Sequence, residues 1–133
     1  VSEELITEIL ANYLRMFYPD VIYHIDFGSG TKLTKGQAVK QAKLNKRGYP
    51  DLFIAEPRNG YQGMFLELKK EGVRLVKRDG VTWASDHIRE QAEVLAQLGE
   101  RGYWTDFAVG YDNAVELIQQ YLGAPARDSG EAF

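Results

Sequence analysis

Residues 48–70, GYPDLFIAEPRNGYQGMFLELKK, constrain the fold more than any other stretch of the chain. Two apolar runs, LFIA and MFLEL, flank a glycine-rich turn, which is the pattern of a β-hairpin. Yet Asp51 opens the first run, and Glu67 and Lys69 punctuate the second. Residues two apart in a strand leave the same face, so Glu67 and Lys69 point together while Leu68 points away. Whether Asp51 joins them depends on register. A two-residue Asn59-Gly60 loop pairs residues whose numbers sum to 119 and sends Asp51 to the face of Leu68. A three-residue loop, or a bulge around Gly60, makes the sum even and brings Asp51 to Glu67 and Lys69. The even register is the expectation.

The rest of the chain supplies elements around this hairpin. Ser2 caps a first helix whose stripe is Leu5, Ile6, Ile9, Leu10, Tyr13, Leu14 and Phe17, and Pro19 stops it. VIYHIDF, residues 21–27, reads as a strand broken by GSG. Residues 34–46 suit a short helix with four lysines and no acid. Residues 71–84, with Asp79-Gly80 as a turn signal, read as an exposed, partly β excursion. Ser85 caps a helix to about residue 100, with Ile88, Ala92, Leu95 and Ala96 as its apolar set and Gly102 near its end. YWTDFAVG is a strand, and Asn113 with Glu116 forms a capping box for a last helix to about Leu122. The tail GAPARDSGEAF reads as disordered. The order predicts one α/β domain over 1–122, a mixed central sheet flanked by helices, and a tail over 123–133.

The 133 residues can bury a core without staples, and the chain has no cysteine, which fits a reducing cytoplasm. The acidic start VSEELITEIL does not read as a signal peptide, and no apolar run reaches membrane-spanning length. The net charge of −3 hides a segregation. Lys32 to Arg78 holds twelve basic and four acidic residues, against four and fifteen elsewhere. A positive face suited to phosphates follows, with Lys32, Lys35, Lys40, Lys43, Lys46, Arg47 and Lys70 as candidate contacts. The same lysines also suit a plain solvated helix face.

Two adjacent carboxylates repel, and a cation between them makes the pair tolerable. Lys69 supplies one charge. Hard cations such as Mg²⁺ or Mn²⁺ prefer oxygen ligands and keep coordination places for water and phosphate. Such a site fits phosphodiester hydrolysis, with Lys69 positioning water or neutralising charge on the phosphate. The residues equally suit an ion pair of Glu67 with Lys69 or Lys70 on a half-exposed strand, with Asp51 capping the turn after Pro50.

Pro50-Asp51 followed by Glu67-Leu68-Lys69 resembles the signature of the PD-(D/E)XK nuclease superfamily, whose restriction-endonuclease-like core has the order αβββαβ. The basic helix would be an insertion after the first strand. GYPDLFI, FLELKK and HIREQAEVLAQLGERGY resemble more specifically the virus-type replication-repair nuclease (VRR-NUC) domain, over residues 1 to about 122. The resemblance implies that Asp51, Glu67 and the Leu68 carbonyl bind metal, that Lys69 is the catalytic lysine, and that Gln91 lines the site. It also implies a glutamate from the first helix. At 100° per residue the apolar stripe centres near about 225°, with Glu3 at about 300°, Glu4 at about 40° and Glu8 at about 80°, so Glu3 is the choice.

The function implied is a metal-dependent DNA endonuclease. Stand-alone members of the family resemble junction-resolving enzymes, which implies a homodimer, branched DNA such as a Holliday junction, and a role in a phage or prophage replication module. His87, one turn before Gln91, is a further candidate phosphate contact. His24 reads as a packed or hydrogen-bonded residue. The alternative is a nucleic-acid-binding module that keeps the fold without the chemistry.

Overall fold

The computed structural model describes residues 2–26 and 34–125. Lys32, the GSG break and most of the expected disordered tail lie outside them. The elements follow the expected order: α1 (Glu3–Phe17), β1 (Tyr23–Ile25), α2 (Lys35–Leu44), β2 (Leu52–Ile54), β3 (Met64–Lys69), α3 (Asp86–Glu100), β4 (Trp104–Val109) and α4 (Tyr111–Leu122). The strands form one sheet in the order β1-β2-β3-β4. The first two pairings are antiparallel, and β3–β4 is parallel, its crossover carried by α3.

Strand β3 lies inside this sheet with all six residues buried. Met64, Leu66 and Leu68 enter the larger core with Leu10 and Leu14 of α1 and Ile118 of α4. Phe65 faces the other way, toward Ile88 and Leu95 of α3 and Phe107 of β4. A strand covered on both faces reads as a continuous apolar run. Glu67 and Lys69 are therefore exceptions within a core strand, and a half-exposed strand carrying a surface ion pair is excluded.

The hairpin reaches the even register by a route that combines both loops considered for it. At the tip Arg58 and Tyr61 exchange backbone hydrogen bonds around Asn59-Gly60, a pairing that sums to 119. Asn59 and Gly60 both have positive φ, 52° and 86°, as a tight hairpin turn of this type requires. In the strands Leu52 pairs with Leu66 and Ile54 with Met64, sums of 118. Three residues, Ala55 to Pro57, separate Ile54 from the tip on one side, and Gln62 and Gly63 on the other. The extra residue shifts the ladder by one, and Pro57 has no N–H to continue it.

Several boundaries differ from expectation. Helix α4 begins at Tyr111 behind Gly110 rather than at an Asn113 capping box, and Asn113 accepts a hydrogen bond from the Val109 N–H at 2.8 Å. In α1, Leu5 and Ile9 are 42% and 36% exposed, because the buried stripe is narrower than the apolar pattern. In α3, Val94 is buried and Ala96 is exposed. The regular part of β1 is only three residues; His24 on it is exposed and hydrogen-bonded to Asp26, the second of the two roles expected of it. Helix α2 has the Thr34–Gln37 capping box but buries no residue. Residues 71–84 keep one antiparallel bridge, Val76 with Trp83.

Gly63 is the position where the register shift leaves no space. A Cβ there would meet the Ile54 carbonyl oxygen at 2.8 Å and a Phe53 ring carbon at 3.0 Å. Gly63→Ala is expected to lower stability by about 1–3 kcal/mol in denaturant titrations, as overpacking does. Gly36→Ala, with nothing within 4 Å, should leave it nearly unchanged. Equal stability of Gly63→Ala and the parent would mean that the bulge does not need the glycine.

Candidate active site

The even register fixes which side chains meet. Phe53 and Phe65 are a direct cross-strand pair and stack at 4.4 Å, so they share a face. Continuing the register two residues sets Asp51 opposite Glu67 on that face. The ladder runs on past β2, since the Asp26 N–H donates to the Asp51 carbonyl at 2.8 Å. The Asp51 side chain accepts a hydrogen bond from the Leu68 N–H at 2.9 Å, which locks the carboxylate against β3. Lys69 continues the polar end of the face, and Gln91 is buried on α3 between Ile88 and Leu95, which pack with Phe65 of that face. Glu67, Lys69 and Gln91 are 3%, 7% and 6% exposed.

This arrangement is electrostatically costly. Burial pushes the Glu67 carboxyl up to about 10, helped by its hydrogen bond with Asp51 and by the charge of Asp51. Asp51 is also held above the ordinary aspartate range, first by burial. Lys69 opposes both shifts through its positive charge. Without a bound cation the pair shares a proton, so a proton does the work expected of a metal.

Glu3 adds its negative charge to both carboxylates. It is half-buried, whereas Glu4 and Glu8 are exposed, in agreement with the helical arithmetic. The Leu68 side chain points into the core on the opposite face, 1% exposed, so only its backbone can serve the site. Lys35, Lys40 and Lys43 project from α2 and Lys46 follows it, all exposed, while Lys70 is exposed just after β3. Arg47 is drawn to Glu90 of α3 at 2.9 Å. His87 is exposed on the first turn of α3.

A cavity of about 820 Å³ opens between α2, the end of β1 and the loop entering β2, and Asp51 forms part of its wall. Tyr49, Gln41 and Asn45 also line it. The sequence offered little to single them out. Gln41 and Asn45 sit on a helix whose packing has no apolar signature, and Tyr49 is one tyrosine of eight.

The residues fit a divalent cation. Glu67 Oε1 and Gln91 Oε1 are buried oxygens without a hydrogen-bond partner, and such atoms call for a donor or a cation. The donors are hard oxygens, as Mg²⁺ and Mn²⁺ prefer. Among the described residues no three carboxylate or imidazole side chains form a ready cage. An ion here would be held by Asp51 and Glu67 and complete its shell with water and substrate oxygens.

The proton held by Glu67 gives a pH test. Burial raises its pKa from the ordinary 4.5 to about 10 in the fold, so between these values the folded state binds more protons than the unfolded one. Stability from this group is therefore complete below the lower value and is lost as pH rises toward the upper one. In chelator, the melting temperature should fall from about pH 6 to about pH 9, and Glu67→Gln should flatten that fall. A parent profile without slope, or an equal slope in Glu67→Gln, would refute the shared proton.

No family model matches the sequence, and no curated protein matches it. A solved structure described as a VRR_NUC domain protein superposes with a TM-score of 0.64 at 24% sequence identity, covering 96% of this chain and 93% of that one. The chain thus has the mixed α/β, restriction-endonuclease-like architecture of a VRR_NUC domain, as the order of its motifs anticipated.

Proposed function

We propose that this chain is a metal-dependent DNA endonuclease. The observation that carries the reading is the Asp51–Glu67 pair, with Glu67 buried, its Oε1 unsatisfied and Lys69 beside it, on a VRR_NUC fold. A core strand that keeps an acid and an amine, with a second acid brought against them from immediately before β2, has a use for them, since sites with strongly shifted carboxylates cluster at functional positions.

Asp51 and Glu67 would hold Mg²⁺ or Mn²⁺, with Glu3 and the Leu68 carbonyl as further ligands. When bound, such an ion polarises a phosphate and acidifies a coordinated water. The fold contributes the rest. The Leu68 N–H fixes the Asp51 carboxylate, so that ligand is oriented in advance. Lys69, held by β3 with little rotational freedom, offsets charge that builds on the phosphate or orients the attacking water. Gln91 directs a polar group at the same space from α3. Lys35, Lys40, Lys43, Lys46 and Lys70 would bind the DNA backbone, with His87 at the edge of the site. Branched DNA such as a Holliday junction, cut by a C2 homodimer in the cytoplasm, is the substrate and assembly proposed.

The test is cleavage of a labelled four-way junction, a linear duplex and a single strand with Mg²⁺, with Mn²⁺ and with chelator. Cutting should require metal, and Asp51→Asn and Lys69→Ala should each lower the rate by on the order of 10²-fold or more. Faster cutting of the junction supports the resolving role. Tight metal-independent binding without cutting by the parent protein would make this a binding module instead.

A further inference from the structure

The cavity beside Asp51 is larger than the chemistry at the carboxylates needs. Its volume of about 820 Å³ lies in the range of pockets that enclose a small molecule or a nucleotide. Tyr49 on its wall is 44% exposed, and its ring stands on Phe65 in a T-shaped contact at 5.6 Å and 83°. The strand pair behind it thus holds an accessible aromatic ring in place. Burial raises the Tyr49 hydroxyl above the usual tyrosine range, and the charge of Asp26 adds to this, so the hydroxyl stays a neutral donor.

The opposite wall is polar. Gln41 comes from the last turn of α2 and Asn45 is its C-cap, and the Asn45 Nδ2 donates to the Gln41 carbonyl at 3.4 Å, which leaves its Oδ1 to accept. Lys46 adds positive charge, as does Arg47, which is paired with Glu90 at 2.9 Å. The acid within the cavity other than Asp51 is Asp26, and His24 engages it at 2.9 Å. An aromatic ring, amides able to bond a base edge and cations for phosphate make up the chemistry of a nucleotide site.

Tyr49 precedes Asp51 by two residues, so the two are at most about 7 Å apart along the chain. That is close to one nucleotide's length of strand. A base stacked inside a duplex cannot enter the cavity without leaving its partner, and unpairing costs least where the base is already single-stranded.

We infer that this cavity receives one unpaired nucleotide of the DNA, its base stacked on Tyr49 and its phosphate beside Lys46 and Arg47, next to the phosphate at Asp51. The inference deepens the nuclease reading and rests on it for the identity of the ligand. It also gives a reason for selectivity, because branch points and flaps offer a free base next to a duplex.

The experiment is binding of a single-stranded oligonucleotide carrying 2-aminopurine, in chelator so that nothing is cut, beside binding of a perfect duplex. Parent protein and Tyr49→Phe should quench the 2-aminopurine. Tyr49→Ala should leave it bright and weaken single-strand binding about fivefold or more, with duplex binding unchanged. Ala42→Leu, on the exposed face of α2 that lines the cavity, fills the space without touching the core and should act likewise even if Tyr49→Ala folds poorly. Quenching by Ala42→Leu equal to the parent, or no quenching by the parent, overturns the site. If the parent quenches as described but never cuts with metal, the site stands and the nuclease reading falls. If it cuts while the variants bind and quench as the parent does, the reverse holds.

Discussion

Two carboxylates pressed together inside a sheet set the terms for everything around them. Asp51 and Glu67 meet because β2 and β3 pair in an even register, and they remain together because they share a proton and the Leu68 N–H holds the Asp51 carboxylate. Burial raises both pKa values, and a single strand of opposite register would abolish the contact. The one-residue offset near Pro57 and Gly63, some distance along the hairpin, is thus as much part of the site as the acids. The tip beyond it is held by α4, where Arg58 donates to the Leu122 carbonyl at 2.6 Å and Tyr121 donates to the Glu56 carbonyl at 2.6 Å.

The apolar half of the same face supports the polar half. Phe53, Phe65 and Tyr103 pack under α3 at one end, and the acids and Lys69 occupy the other, where Phe107 is the register partner of Glu67. Because Ile88 and Leu95 pack in this cluster, the position of Gln91 between them on α3 is a consequence of aromatic packing. The larger core of Leu10, Leu14, Leu66, Leu68 and Ile118 on the other face provides the burial that offsets a buried, partly unsatisfied site.

Element order was legible from the sequence because it rests on periodicity and caps, which are local. Ser2, Thr34 and Ser85 all cap the helices that follow them. The partnership of Asp51 with Glu67 was legible only as a parity argument, since the turn residues Asn59-Gly60 taken alone favour the wrong parity. Helical geometry separated Glu3 from Glu4 and Glu8 once the resemblance implied a first-helix glutamate, because exposure follows angle on a helix. The start of α4 was misread because Asn113 serves the preceding strand end rather than a box. Gln41, Asn45 and Tyr49 were not legible as a group. What unites them is the placement of α2, and a helix with no buried face leaves no hydrophobic pattern from which its position can be inferred.

That helix has an evolutionary consequence. Since α2 buries no residue, changes along it are nearly neutral for folding, whereas almost any change in β3 is not. The chain separates a buried strand that carries Glu67 and Lys69 from a surface free to drift. Lineages can therefore exchange the lysines, amides and small residues of α2 and acquire new ligand preferences without re-solving the core.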